Sequence, residues 1–168
     1  MLRKVFQSLL LLLMLAGLCS CSSKEVLRGT DELLQKAREE LPVAEAETIE
    51  LNYAGLCAKG DLALIWFVSG NEYQAHSFLP MECTIVGEDE YTFERTCKPM
   101  ERGTDIAVLQ WQDGYAFLVN NPQCKAIRIT DVRGTQEIPI EKDVYPFLYY
   151  HTLLPSEYHF LDAAGEAL

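Results

Sequence analysis

The sequence predicts a mainly β protein: an antiparallel β-sandwich or partly open barrel of two related hairpin units, with one short N-terminal helix. Three observations predict it. From Glu47 onward, Val, Ile, Tyr, Phe, Trp and Thr gather in short runs separated by Gly, Asn, Asp and Pro, the texture of strands and turns. One run, residues 61–69, is apolar at both alternating sets of positions, Leu62, Leu64, Trp66 and Val68 against Ala63, Ile65 and Phe67. A strand of that kind must be covered on both faces. Finally, two stretches of about 20 residues echo one another.

The helix is expected over 30–41. Thr30 is a good N-cap, and Asp31 and Glu32 suit the positive end of the helix dipole. Leu33, Leu34, Ala37 and Leu41 share one face, and Pro42 cannot continue the ladder. Strand runs follow over 48–58 and 61–69. Gly70-Asn71 reads as a two-residue hairpin turn, because both residues tolerate positive φ, and 72–79 returns. A second hairpin runs over 106–112, turns at Asp113-Gly114 and comes back over 115–119. Asp131-Val132-Arg133-Gly134 and Asp162-Ala163-Ala164-Gly165 share a D-x-x-G turn pattern, and the chain is expected to end on a strand.

The echo pairs residues 60–83 with 103–124. Each begins with Gly and an early Asp, carries a strand with one Trp, turns tightly, returns through a Tyr and ends on Pro and Cys. The preceding cysteines match too: Cys57 precedes Cys83 by 26 positions, and Cys97 precedes Cys124 by 27. An even number of cysteines in an extracytoplasmic chain suggests disulfides, and the echo suggests Cys57–Cys83 and Cys97–Cys124. With 69 facing 72, Cys57 would lie opposite Thr84, next to Cys83. Four cysteines allow three pairings, and sequence does not choose among them. No C-x-x-C occurs, which argues against a zinc ribbon or a thioredoxin-type pair.

The start of the chain gives its address. Arg3 and Lys4 precede an apolar run from Leu9 to Leu18, far shorter than the ~20 residues that span a bilayer. The run ends Leu18-Cys19-Ser20-Cys21, which resembles a bacterial lipobox. That resemblance implies cleavage after Ser20, a diacylglycerol on Cys21 and stable membrane anchoring through several acyl chains. Residues 1–20 are then a signal peptide, 21–29 the lipidated cysteine and tether, and 30–168 a single extracytoplasmic domain. The location this resemblance implies is extracytoplasmic and membrane-anchored, on the cell membrane or outer membrane.

The chain has 168 residues and a formal charge of −11; removing residues 1–20 takes away two cations and no acid, leaving −13. So acidic a domain is repelled by nucleic acid and by anionic headgroups. It suits a basic protein or a glycan as partner, besides the membrane reached through Cys21.

Catalytic motifs are missing from the sequence: there is no G-x-S-x-G, H-E-x-x-H, Walker loop, G-x-G-x-x-G or EF-hand loop. No cofactor and no metal is expected. His151 and His159 could face one another across a hairpin turning at Leu154-Pro155-Ser156, with Glu157 alongside, which gives a hydrolase reading. The stretch from Tyr145 to Leu161 is rich in aromatics. Tyr149 and Tyr150 point to opposite strand faces, so one of them could be exposed for binding. Ser69-Gly70-Asn71-Glu72-Tyr73 is similar to the S-G-x-x-Y motif of membrane-bound lysozyme inhibitors, small acidic β-barrel lipoproteins. The resemblance implies binding through Ser69, Gly70 and Tyr73 in a loop that enters a basic enzyme's cleft. That family's second motif, a Tyr followed by Thr/Ser-Lys-Gly, is missing: Thr96 after Tyr91 is followed by Cys97. The expected function is non-enzymatic binding or envelope assembly, with inhibition of a cell-wall hydrolase and hydrolysis as alternatives.

Overall fold

A computed structural model describes residues 24–41, 49–70, 77–102, 105–141 and 144–168. Its elements are β1 (Val26–Arg28), α1 (Gly29–Glu39), β2 (Leu51–Lys59), β3 (Leu62–Ser69), β4 (Ser77–Gly87), β5 (Glu90–Thr96) and β6 (Glu101–Arg102). They continue with β7 (Ile106–Trp111), β8 (Gly114–Val119), β9 (Ala126–Asp131), β10 (Gly134–Pro139), β11 (Phe147–His151) and β12 (Glu157–Leu161). The strands form three antiparallel sheets. The first has the order β1-β5-β4-β3-β2, the middle β11-β8-β7-β6 and the outer β10-β9-β12. The fold is mainly β, as expected, and is a stack of sheets rather than a closed barrel.

Three apolar cores hold the stack together. In the first, Leu33 and Ala37 of α1 meet Ile65 and Phe67 of β3 and Met81 of β4. In the second, Leu64, Trp66 and Val68 of β3 meet Leu109 and Trp111 of β7 and Leu118 of β8. In the third, Val108, Phe117 and Val119 of the middle sheet meet Ile127 and Ile129 of β9, with Tyr158 and Phe160 packed alongside. The order is therefore helix, first sheet, middle sheet, outer sheet. This explains the doubly apolar run at 61–69: its odd positions face the helix and its even positions face the middle sheet. Strand β8 divides its side chains the same way, Ala116 and Leu118 to one core, Phe117 and Val119 to the other. Each large side chain fully buried in these cores contributes ~1.5–3 kcal/mol.

The turns follow the sequence in part. The helix begins at Gly29, and its N-cap is Arg28 instead of Thr30. The Arg28 backbone N–H donates to Glu32 Oε2 at 2.6 Å, so the acidic first turn supplies the cap from inside the helix. The D-x-x-G turn at 131–134 forms as expected, with Asp131 opposite Gly134. At 162–165 the Gly165 N–H donates to Asp162 O at 3.1 Å, and the tail then bridges Leu161 to Ala167.

Two expected turns are corrected. Ser69 pairs with Ser77, so seven residues separate the two strands instead of two. Cys57 is on β2, a different strand, and pairs with Leu64. In the second hairpin Trp111 pairs with Gly114, which makes Gln112-Asp113 the loop; Gln112 takes φ 52°. Gly114 is needed for another reason. A Cβ there would lie 1.9 Å from the carbonyl oxygen of His151, so glycine lets β11 close onto β8. Gly55 acts similarly where the first and middle sheets approach. It sits at a bulge with φ 128°, and a Cβ there would lie 2.8 Å from Leu148 Cδ1.

The two echoing stretches both form hairpins, β3–β4 in the first sheet and β7–β8 in the middle sheet. Their tryptophans, Trp66 and Trp111, meet in the second core. They differ in loop length and in strand length.

Candidate functional site

The polar side chains with the greatest chemical potential lie between layers. Strand β4 places Glu82 at the rim of the second core. Its carboxylate accepts hydrogen bonds from Trp111 Nε1 at 2.7 Å, Gln112 Nε2 at 3.1 Å and Arg95 Nε at 3.0 Å. Burial pushes the Glu82 pKa up, but the hydrogen bonds and the Arg95 charge outweigh it and hold the group below the ordinary range. Beside it, Tyr150 stands edge-on to Trp111, with ring centroids 5.1 Å apart, and donates to Asp113 Oδ1 at 3.0 Å. Burial, then the Asp113 contact, push the Tyr150 hydroxyl pKa well up. Lys59 pairs with the same Asp113, so first and middle sheets are joined at their turns as well as through their core.

A second polar cluster joins the middle and outer sheets. His151, at the end of β11, is only 2% exposed. Its Nε2 lies 2.8 Å from Asp131 Oδ2 on β9, and its Nδ1 lies 3.3 Å from Gln136 Nε2 on β10. The carboxylate can only accept and the amide nitrogen can only donate, so this network assigns the proton to Nε2 and the lone pair at Nδ1 to Gln136. Both ring nitrogens are then engaged, and none is left to act as a base toward a nucleophile. Asp131 also accepts the Arg133 backbone N–H at 2.6 Å and Arg133 Nη2 at 3.1 Å. The Arg133 backbone bond leads in holding the Asp131 pKa low, burial opposes it, and the Arg133 and His151 side chains add to the lowering.

The two-histidine arrangement is corrected here. Strands β11 and β12 belong to different sheets, so no hairpin ladder joins them. His159 pairs in register with Arg128, is exposed and contacts Glu157 Oε1 at 2.9 Å. Among the described residues, no group of three metal-ligating side chains forms.

The expected disulfides are also corrected: Cys57, Cys83, Cys97 and Cys124 are free. Cys57 and Cys83 flank β3 on strands two apart, about 9–10 Å at ordinary sheet spacing, and their side chains enter opposite cores. Cys97 packs against the second core and Cys124 lies in the third, with the middle sheet between them. Burial pushes the thiols up, Cys57 to about 11 and Cys83 to about 12. They behave as small apolar core groups.

The candidate binding residues fall in separate places. Tyr149 packs toward the outer sheet and Tyr150 toward the first sheet, both half-buried. Neither is exposed, because the middle sheet is covered on both sides. Ser69 is buried at the end of β3. Gly70 has φ 95°, donates its N–H to Glu50 O at 3.2 Å and accepts from Asn52 Nδ2 at 2.8 Å. Tyr73, Cys21 and the lipobox residues lie outside the described residues. Glu82, Asp131 and Gln136 were not legible as partners, since none stands in a local motif and the sheets bring their contacts together.

An open groove of about 580 Å³ runs between β1 and α1. Glu32, Gln35, Lys36 and Glu39, along one face of the helix, form one wall, and residues 24–28 form the other. No family model, no curated protein and no solved structure matches the chain.

Proposed function

We propose that this chain is a lipid-anchored extracytoplasmic protein that acts by binding, as a recognition or envelope-assembly module. One observation carries the binding half of this reading: the side chains best suited to chemistry are committed to joining layers. His151 has both ring nitrogens engaged, Glu82 accepts from three side chains, and Cys57 and Cys83 are buried with raised pKa values. The anchor half rests on Leu18-Cys19-Ser20-Cys21 and the apolar run before it.

Two measurements test the halves separately. Intact mass of the membrane-extracted protein should show residues 21–168 carrying a diacylglycerol, and Cys21→Ala should release the chain from the membrane. Purified protein should enrich a discrete envelope partner that, expressed alone, binds it reciprocally. Steady turnover of a substrate, lost on changing one polar residue, would overturn the binding reading.

Inhibition of a basic cell-wall hydrolase is the second reading. The net acidity and the S-G-x-x-Y similarity at Ser69–Tyr73 favour it. Tyr73→Ala should abolish inhibition while leaving the fold intact, and a lysozyme panel left fully active by the unaltered protein would end this reading.

A further inference from the structure

We propose that strand β10 is a self-recognition edge, through which two copies of this chain pair antiparallel about a two-fold axis and join their outer sheets into one. The inference goes beyond the binding reading and does not rest on the lipid anchor.

An open edge is the first argument. Unpaired N–H and C=O groups along a sheet edge are a template for another strand, and proteins usually shorten, bulge or cover such an edge. Most edges of the three sheets are treated in that way. Strands β1 and β6 have only three and two residues. Strand β2 is interrupted by the bulge at Gly55. Strand β11 is half-buried or buried at every position. Strand β12 meets the tail, where Leu168 N–H donates to Phe160 O at 2.9 Å and Ala167 bridges Leu161. Strand β10 differs. Among the described residues it pairs with β9 alone, keeps one register from Gly134 to Pro139 and is exposed everywhere except at Ile138.

Register is the second. Ile140 N–H donates to Lys125 O at 2.8 Å. Residues of an antiparallel pair alternate between bonding their neighbour and facing away. Gly134, Gln136 and Ile138 therefore bond β9, while Thr135, Glu137 and Pro139 face outward. Proline has no N–H, so the open donors are those of Thr135 and Glu137. Setting Thr135 of one copy opposite Glu137 of the second copy, and the reverse, engages both donors in each chain. Gln136 then lies opposite Gln136 of the second copy. A register with Glu137 opposite itself would face like charges. One with Thr135 opposite itself would set Glu137 against the turn residue Arg133 and lose its bonds.

Charge selects the partner. Within the β9–β10 hairpin Arg128 Nη2 lies 2.7 Å from Glu137 Oε1, and Arg133 Nη2 lies 3.1 Å from Asp131 Oδ2. Cations and acids of the hairpin thus neutralise one another and leave none over for a basic or an acidic partner; what stays open is backbone. A chain of mature net charge −13 is opposed least by its own copy at such a place. Gln136 adds a polar match. Its Nε2 lies 3.3 Å from His151 Nδ1, and its Oε1 accepts from nothing among the described residues, so two facing glutamines can bond each other.

The test is oxidative cross-linking of the full chain in its native setting, read as dimer on a non-reducing gel. Facing residues at a non-bonded antiparallel pair have Cα atoms about 4.5 Å apart, which suits a disulfide. Gln136→Cys should therefore cross-link to itself, at least fivefold more than Thr135→Cys or Glu137→Cys, whose own copies lie diagonally, about 7–8 Å away. Adding Glu137→Pro, which removes an outward N–H and no bond to β9, should lower the Gln136→Cys dimer tenfold or more while retaining the native circular dichroism. Equal cross-linking at all three positions would overturn the register. A folded Gln136→Cys chain that stays monomeric, or a dimer untouched by Glu137→Pro, would overturn the edge. Cross-linking of Gln136→Cys to a different protein would give the edge to another strand and overturn self-pairing.

Discussion

Phe117→Ala tests the layered architecture directly. Phe117 is fully buried between the middle and outer sheets. Its ring lies edge-on to Tyr158 at 5.3 Å and to Phe160 at 6.2 Å. Removing a buried Phe costs ~3–5 kcal/mol, and the two aromatic contacts place this site toward the upper half of that range. In a domain of this size 1 kcal/mol moves Tm by ~2–4 °C, so a loss near ~4 kcal/mol lowers Tm by about 8–16 °C. The chain supplies its own probes. Its two tryptophans, Trp66 and Trp111, both lie in the second core, on the other side of the middle sheet from Phe117. Tyr115 and Tyr158, by contrast, pack in the third. Because β8 belongs to both cores, tryptophan fluorescence and near-ultraviolet tyrosine dichroism should shift together. A tyrosine transition that falls while the tryptophan transition stays in place would refute the argument that one strand couples the two cores.

Three further outcomes are expected. Gly114→Ala sets a methyl against the His151 carbonyl, so it should lower Tm by at least 8 °C, read by differential scanning calorimetry. Glu82 and Asp131 bind protons less readily folded than unfolded, so the stability they contribute is complete above the ordinary carboxylate values, 4.5 and 3.8, and is lost as pH falls through the lower folded values. Urea midpoints from pH 6 to pH 3 should therefore fall more steeply for the native protein than for Glu82→Gln. Native protein at pH 8 should leave Cys57 and Cys83 unmodified by Ellman's reagent until it is unfolded, and dithiothreitol should leave Tm unchanged; a drop of more than about 5 °C on reduction would show that these thiols are bridged.

Much of the fold was legible because period-two patterning reports burial. The run at 61–69 announced a strand covered on both faces, and β3 is one. The helix was legible from its apolar face, Leu33 and Ala37, although its cap fell at Arg28 and not at Thr30, and the 131–134 turn was legible from its Asp and Gly. What patterning reports is that a face is covered, without naming the sheet that covers it. Hence Tyr149 and Tyr150 read as one buried and one exposed, although the middle sheet covers both. Gly114 looked like a turn residue because Asp-Gly is a strong local signal, while its real constraint comes from β11, some 37 residues along the chain. Cysteine count suggested pairing, yet parity carries no information about which core each thiol enters. The His151 cluster stayed hidden because Asp131, Gln136 and His151 meet only when two sheets stack.

The middle sheet has a consequence for how the chain is made. A protein delivered amino-terminus first assembles its first sheet early, from strands joined by neighbouring turns. The face bearing Phe117 and Val119 is different, since part of its cover is β12, which begins at Glu157, some 40 residues after Phe117. Until then the nascent molecule shows an oily half-finished surface to its surroundings. Any factor that holds such a surface apart from its neighbours until residue 161 has emerged would decide how much of the chain reaches the folded state.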